Sequence, residues 1–160
     1  MANAPKPQPA LLRRLVRRLM RMADRVRRKY WRLRGKTILG VMAKAYTPDG
    51  ALLLVRQTYS SGWHLPGGGR SGKEPPVEAA LRELREEIGL QSWSEARLQC
   101  SVHRLLSGVA AVVDVVEVRD VVHLFRPSLE IEEVGLFDPR HLPRDLNDWT
   151  RDILQEAGAP

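Results

Sequence analysis

The spacing of hydrophobic residues changes along the chain from helical to strand-like. Between Leu11 and Leu33, hydrophobic positions recur every three or four residues, and arginines fill the remaining face. This pattern predicts one amphipathic helix, for which Gly35 is a plausible end. Ahead of it, alternating prolines in residues 4–9 exclude a helix and predict extended chain.

Two strand-like stretches follow this predicted helix. Residues 37–46 and 52–55 are rich in hydrophobic residues, and the turn sequence Pro48-Asp49-Gly50 separates them. The combination predicts a β-hairpin. Residues 58–72 contain five glycines, so we expect a loop there.

The rest of the chain predicts a helix, several strands and a final helix. Pro75-Pro76 suits the start of a helix and Gly89 suits its end. Further strands are predicted at residues 97–105, 109–118, 121–126 and 131–137. Residues 145–157 carry their hydrophobic side chains on one stripe, which indicates a helix. This order of elements predicts an α/β sandwich around a mixed sheet.

The net positive charge is confined to the start of the chain. The formal net charge is +7, but residues 1–36 carry 13 Lys and Arg against Asp24 alone, and residues 37–160 are net acidic. We therefore divide the chain into a basic arm, residues 1–36, and a domain, residues 37–160. The arm could pack against the domain or a second copy in a homodimer, lie on an anionic membrane surface, or bind RNA phosphates.

Two features of the sequence limit the classes of protein to which it can belong. A single cysteine, Cys100, rules out an internal disulfide framework and is compatible with a reducing compartment. No hydrophobic run approaches the roughly 18 residues of a membrane span. We expect a cytoplasmic protein, with peripheral attachment to a membrane through the arm as the alternative.

Three acidic residues in the predicted helix suggest metal chemistry. Glu83, Glu86 and Glu87, here called the box glutamates, lie at helical offsets of 0, 3 and 4 and should share one arc. An acidic arc is ordinarily a solvated helix face. Carboxylates so close repel one another, and Mg²⁺, or alternatively Mn²⁺, would let them coexist. Arg82 can reach Glu78 or Glu86 and hold the array in place.

The segment around these residues resembles the Nudix box. That motif is a glycine, five residues, a glutamate, seven residues, then Arg-Glu-apolar-any-Glu-Glu-any-Gly-apolar. This chain fills every defined position with Gly68, Glu74, Arg82, Glu83, Leu84, Glu86, Glu87, Gly89 and Leu90. Residues 63–68 and 136–143 also resemble family segments. The resemblance covers about residues 37–145 and leaves out the arm.

The resemblance implies the family's fold and chemistry. The fold would be a Nudix-type α/β/α sandwich, with the box forming a loop, helix and loop at the active site. The box glutamates would bind the metal together with the carbonyl of Gly67 and one glutamate from a later loop, for which Glu130 is the first candidate and Glu132 the second. A water activated by the metal, or by a glutamate acting as base, would then attack a phosphorus of a diphosphate.

Residues near the box could contact the substrate. Arg56 and Arg70 could bind phosphate oxygens or be ordinary surface charges. Tyr59, Trp63 and His64 could stack on a base or close the edge of the core.

The sequence alone does not identify the substrate. Hydrolysis of a nucleoside diphosphate derivative or nucleoside triphosphate is favoured, and removal of a 5′ pyrophosphate from RNA with help from the arm is the alternative. A catalytically silent nucleotide-binding module is a third reading, but such members usually lose box glutamates that this chain keeps. The chain departs from the family pattern at Lys73 and Pro75, which removes the usual hydroxyl cap of the helix.

Overall fold

A computed structural model describes residues 37–106 and 108–158 of the chain. The arm and its predicted amphipathic helix lie outside the described residues. The elements, in chain order, are β1 (Ile38–Ala45), β2 (Leu52–Gln57), β3 (Trp63–His64), β4 (Gly67–Gly69), α1 (Pro76–Ile88), β5 (Leu90–Ser92), β6 (Glu95–Leu106), β7 (Val109–Arg119), β8 (Val122–His123), β9 (Ile131–Phe137) and α2 (Asp148–Glu156).

The strands form a mixed arrangement. One sheet has the order β4-β1-β7-β6, in which β1 and β7 are parallel and the other pairs are antiparallel. A second sheet has the order β3-β2-β9, and β5 pairs with β8. The predicted α/β class with a mixed sheet is therefore confirmed.

The predicted hairpin of residues 37–46 and 52–55 is wrong. β1 and β2 belong to different sheets, and an isolated antiparallel bridge joins Tyr46, just after β1, to Leu52. The turn itself forms, because the N–H of Gly50 donates to the carbonyl of Thr47 at 2.8 Å. Each strand already has two other neighbours, so neither has a free edge for a hairpin partner.

Two smaller predictions also need correction. The expected loop at residues 58–72 contains the short strands β3 and β4, because Gly67–Gly69 pairs with β1. The strand expected at residues 121–126 is limited to Val122–His123, and its partner β5 was not predicted. Both β5 and β8 are too short to show an alternating pattern.

Helix α1 has the start and end that the sequence predicts. Pro75 is its N-cap residue and makes no side-chain capping hydrogen bond, so the missing hydroxyl cap is confirmed. At its other end Gly89 adopts φ 70°, a left-handed conformation, and donates its N–H to the carbonyl of Arg85. The box helix therefore spans the residues that local signals specify.

The two helices cover different parts of the core. Ala80, Leu84 and Ile88 of α1 belong to one buried cluster with Val116 of β7. Ile153 of α2 belongs to a second buried cluster, with Val115 of β7. Because neighbouring residues of a strand point to opposite faces, the helices lie on the two sides of β7. Within residues 37–106 and 108–158, no helix is long and apolar enough to cross a membrane.

Candidate metal centre on helix α1

The box glutamates occupy three different environments. Glu86 is solvent-exposed, with 61% of its side chain accessible. Glu83 is largely covered, with 12% of its side chain accessible, and Glu87 is buried. The helical spacing groups them on one arc, but strand β4 covers part of that arc. The cluster is therefore a partly desolvated site and not a solvated helix face.

Glu87 is held by the loop that precedes the helix. The N–H of Gly67 donates to Glu87 Oε2 at 3.0 Å. The pKa of Glu87 is raised to about 8, chiefly by burial. The hydrogen bond from Gly67 opposes this rise, and the charges of the neighbouring carboxylates Glu83, Glu130 and Glu86 add to it. Without a cation, this carboxyl group therefore resists ionisation.

Glu83 lies between the glycine loop and Arg82. Burial raises the pKa of its carboxyl group, and the guanidinium of Arg82 lowers it in opposition. The charges of Glu86 and Glu130 raise that pKa as well. Two desolvated carboxylates thus stand side by side with more negative charge than their surroundings neutralise.

Arg82 links the helix to the loop of the box. Its Nε donates to Glu74 Oε1 at 2.8 Å, and its Nη1 donates to Glu83 Oε1 at 2.7 Å. Its Nη2 donates to the carbonyl of Gly69 at 3.0 Å. The expected pairing with Glu86 exists at 3.6 Å, a longer contact than those to Glu74 and Glu83. These hydrogen bonds raise the pKa of Arg82 above its ordinary value and keep it charged.

Glu130 approaches the box glutamates from the loop before β9. Its backbone carbonyl accepts a hydrogen bond from the N–H of Thr58 at 2.8 Å, and its Oε1 accepts one from the hydroxyl of Tyr59 at 3.0 Å. Its charge contributes to the raised pKa of Glu83 and Glu87. The second candidate, Glu132, lies within β9. The fold thus brings Glu130, from a distant part of the sequence, near the box.

The oxygen donors of this site fit a hard dication, although their side chains are not arranged around a single point. In the part of the chain that the structure describes, no three Asp, Glu, His or Cys side chains form a ready-made metal cluster. Arg82 and the N–H of Gly67 engage Glu83 and Glu87 instead. Oxygen donors with uncompensated negative charge are nevertheless what Mg²⁺ and Mn²⁺ prefer.

Arg56 lies near the end of β2, the central strand of the second sheet. It forms ion pairs of 3.2 Å with Glu133 and with Asp145, and its guanidinium lies 4.4 Å from the ring centroid of Trp63. Its side chain keeps 30% accessibility. The guanidinium of Arg56 can therefore still reach a ligand from the end of β2.

Trp63 and His64 are buried. The ring of Trp63 meets that of Phe137 edge-on at 4.9 Å between centroids. His64 Nε2 lies 3.0 Å from the carbonyl of Ser61, and burial lowers the pKa of its ring. These contacts favour the alternative in which both residues close the edge of the core.

Arg70 is also engaged inside the protein. Its Nε donates to Asp114 Oδ2 at 2.7 Å, and only 13% of its side chain is accessible. The sequence did not single out Asp114, although it interrupts the hydrophobic run of β7. A charged residue in a buried strand needs a partner of opposite charge, and this was the available signal.

Comparisons with known proteins bear on the family of this domain. A model of the NUDIX domain matches residues 36–157. The MutT NUDIX hydrolase from Burkholderia pseudomallei has 28% sequence identity and a TM-score of 0.64, with coverage of 77% of this chain and 99% of that one. The MutT protein from Methanosarcina mazei Go1 has the same TM-score at 23% identity, covering 76% of this chain and 92% of that one, and shows the fold alone.

A local similarity points to a further set of relatives. The RNA pyrophosphohydrolase of Xanthomonas campestris pv. campestris is 50% identical over 42 residues, which are 26% of this chain and 20% of that protein. The chain thus spans about a fifth of the length of the curated relatives that it matches. The family model, in contrast, matches residues 36–157, which include the complete box from Gly68 to Leu90. The chain belongs to the Nudix hydrolase family.

Proposed function

We propose that the protein is a pyrophosphohydrolase that depends on a divalent metal ion and cleaves a diphosphate linkage in a nucleoside diphosphate derivative or nucleoside triphosphate. One observation carries this proposal. Glu83 and Glu87 are desolvated carboxylates beside the exposed Glu86, with raised pKa values and too little positive charge around them. A bound dication would supply that charge, and phosphate oxygens are natural further ligands for it.

The metal ligands in this proposal come from three segments. They are the box glutamates, the backbone carbonyl of Gly67 and the carboxylate of Glu130, with Glu132 as the second choice. Mg²⁺ is the preferred ion and Mn²⁺ the alternative. When bound, the ion would acidify a water molecule and neutralise charge on the diphosphate. Arg82 would keep Glu83 in place throughout, since its own position is fixed by Glu74.

Substrate contacts are proposed at the accessible edge of the site. Arg56 keeps part of its guanidinium accessible and could bind phosphate oxygens. Tyr59 lies beside Glu130 and could contact a base with its ring. Trp63, His64 and Arg70 are committed to internal contacts, so we infer that they support the site from within.

A second candidate function is removal of a 5′ pyrophosphate from RNA. The local 50% identity with RNA pyrophosphohydrolases supports it, as does the charge of the arm, which can neutralise RNA phosphates. A cytoplasmic location suits either function.

A substrate panel tests the proposal. Nucleoside triphosphates, nucleoside diphosphate sugars and RNA with a 5′ triphosphate are incubated with the full chain in Mg²⁺ or in excess chelator, and the products are identified. We expect turnover only with the metal, and a loss of about 10²-fold or more in Glu86→Gln and Glu87→Gln. Glu78→Gln, which changes an exposed glutamate of the same helix, is the matched control and should match the parent.

Two results would contradict the proposal. Equal activity in the parent and in both variants would refute the assignment of Glu86 and Glu87. Tight nucleotide binding without turnover of any member of the panel would instead favour a silent binding module.

A further inference from the structure

We propose that Asp114, a residue of β7 outside the Nudix box, is a positioning residue that acts on the box glutamates through Arg70. The inference rests on the proposed function, because it concerns the site that would bind the metal. Asp114 is separated by 31 residues from Glu83. The fold connects the two through a continuous series of hydrogen bonds.

The first step joins Asp114 to Arg70. Asp114 is 2% exposed. Its Oδ2 accepts a hydrogen bond from Nε of Arg70 at 2.7 Å and forms an ion pair with Nη2 of the same residue at 2.5 Å. Its Oδ1 accepts one from the hydroxyl of Ser101 at 2.5 Å. Both carboxylate oxygens are therefore engaged, and the guanidinium has a fixed orientation.

The second step joins Arg70 to the loop of the box. Its Nη1 donates to the carbonyl of Ser71 at 3.2 Å and to the carbonyl of Glu74 at 3.3 Å. Its backbone N–H donates to the carbonyl of Leu39 in β1 at 3.1 Å. The loop of residues 70–74 thus surrounds the guanidinium of Arg70, and Asp114 of β7 holds that guanidinium in place.

The third step joins the loop to the site. The carboxylate of Glu74 accepts a hydrogen bond from Arg82 at 2.8 Å, and Arg82 donates to Glu83 at 2.7 Å. Any shift of the loop moves Glu74 and, through Arg82, moves Glu83. Misplacement of a catalytic group by about 1 Å can cost about 10²-fold in rate.

These contacts also bear on the alternative in which Arg70 binds the substrate directly. Nε and Nη2 are engaged by Asp114, and Nη1 is engaged by the two carbonyls of the loop. A phosphate would have to break the pair with a buried carboxylate, which would leave Asp114 without a partner of opposite charge. The geometry therefore favours support of the loop over contact with the substrate.

The test compares Asp114→Asn, Arg70→Gln and the double variant in the full chain. Each is assayed for kcat and KM with Mg²⁺, and Mn²⁺ alone is titrated by electron paramagnetic resonance to give its Kd. We expect each single variant to lose about tenfold or more in kcat and to bind Mn²⁺ several-fold more weakly, with little change in KM. The double variant should be no worse than the poorer single variant, because both residues act through one ion pair.

Glu117→Gln is the matched control. Glu117 is another buried carboxylate of β7, but it points to the opposite face and pairs with Arg97 and Arg119. This variant should lower the thermal midpoint while leaving kcat and the Kd of Mn²⁺ at parental values. Ser101→Ala is the milder variant if Asp114→Asn does not fold. It removes one hydrogen bond to Asp114, and a loss of about two- to fivefold in kcat and in Mn²⁺ affinity is expected.

Several outcomes would overturn the inference. Asp114→Asn could lower the thermal midpoint as Glu117→Gln does but keep kcat and Mn²⁺ affinity, which would mean a structural role only. Arg70→Gln could raise KM while Asp114→Asn is silent, which would mean that Arg70 binds the substrate.

A parent that hydrolyses nothing in Mg²⁺ would defeat the proposed function, and the Mn²⁺ titrations would still decide the role of Asp114. A parent that binds no Mn²⁺ would overturn both.

Discussion

Gly68 lies directly against the carboxylate of Glu83. A Cβ atom at residue 68 would stand 2.6 Å from Glu83 Oε1 and 2.8 Å from its Cδ, closer than real Cβ atoms approach other heavy atoms. The backbone of Gly68 is not left-handed, unlike that of Gly67, so its conformation does not require glycine. The first position of the box is small because the carboxylate of Glu83 occupies the space.

Gly68→Ala should therefore lose activity without losing stability. The added methyl would displace the Glu83 carboxylate, and we expect kcat with Mg²⁺ to fall by roughly 10²-fold. The displaced group is the end of a flexible side chain, and replacing glycine at a compatible backbone position stabilises by about 0.4–1 kcal/mol through the unfolded state. Steady-state kinetics and thermal unfolding of the same preparation would measure both effects.

The two neighbouring glycines provide controls. A Cβ at Gly69 would meet nothing within 4 Å, so Gly69→Ala should behave as the parent. Gly67 has φ 152°, and a Cβ there would collide with the carbonyl of Val41. Gly67→Ala should therefore destabilise the fold. Full activity in Gly68→Ala would show that Glu83 works from a different position.

The sequence predicts helix α1 well because its signals are local. Pro75 and Pro76 define its start and Gly89 its end, and the hydrophobic spacing defines its buried face. The pairing of β1 and β2 could not be predicted in this way. Both strands are hydrophobic on both faces, and a turn signal between them says nothing about which distant strands flank each one.

The same contrast between local signals and tertiary contacts applies to the candidate metal site. The spacing of the box glutamates follows from the sequence, but the burial of Glu87 depends on Gly67 and β4 passing over that part of the helix. Asp114 meets Arg70, and Glu130 approaches the box glutamates, through strand order and loop position, which no local pattern encodes. The motif thus identifies the chemistry, and tertiary contacts determine the environment of each carboxylate.

Glu130→Gln should weaken the binding of Mg²⁺ more than Glu132→Gln does. The charge of Glu130 acts on both Glu83 and Glu87, so removing it should raise the Mg²⁺ concentration for half-maximal activity by roughly tenfold, the range seen when groups around a metal are altered. Tyr59→Phe removes a hydrogen bond to Glu130 and should cause a smaller shift in the same direction. Magnesium titrations of all three variants measure this, and a larger shift in Glu132→Gln would reverse the assignment.

His64 should make the protein less stable as the pH falls below 6.5. Burial lowers the pKa of its ring from 6.5 in the native state, so the unfolded chain binds the proton first. The free energy of unfolding should therefore decrease from about pH 6.5 down to the native pKa, by at most about 1.4 kcal/mol per pH unit, and then level off. Urea unfolding of the parent and His64→Gln across this range measures the difference.

The control for this experiment is His103→Gln, since His103 is exposed on β6. The pH dependence should be weaker in His64→Gln than in His103→Gln, and burial of His123, which also lowers the pKa of that ring, should leave a smaller slope in both. An unchanged slope in His64→Gln would mean that folding does not lower the pKa of His64.

Removal of residues 1–34 should separate the two candidate functions, because the net positive charge of the chain comes from the arm. If the arm holds RNA through three phosphates, kcat/KM on RNA with a 5′ triphosphate should fall roughly 20-fold between about 50 and about 200 mM salt, since each contact with single-stranded RNA contributes a slope near −0.7. The truncated protein should lose that salt dependence along with most of its activity on RNA. Hydrolysis of a free nucleoside triphosphate should change little in either comparison, because the box lies outside the arm. Equal processing of RNA by the truncated and full-length proteins would exclude a role for the arm in holding the strand.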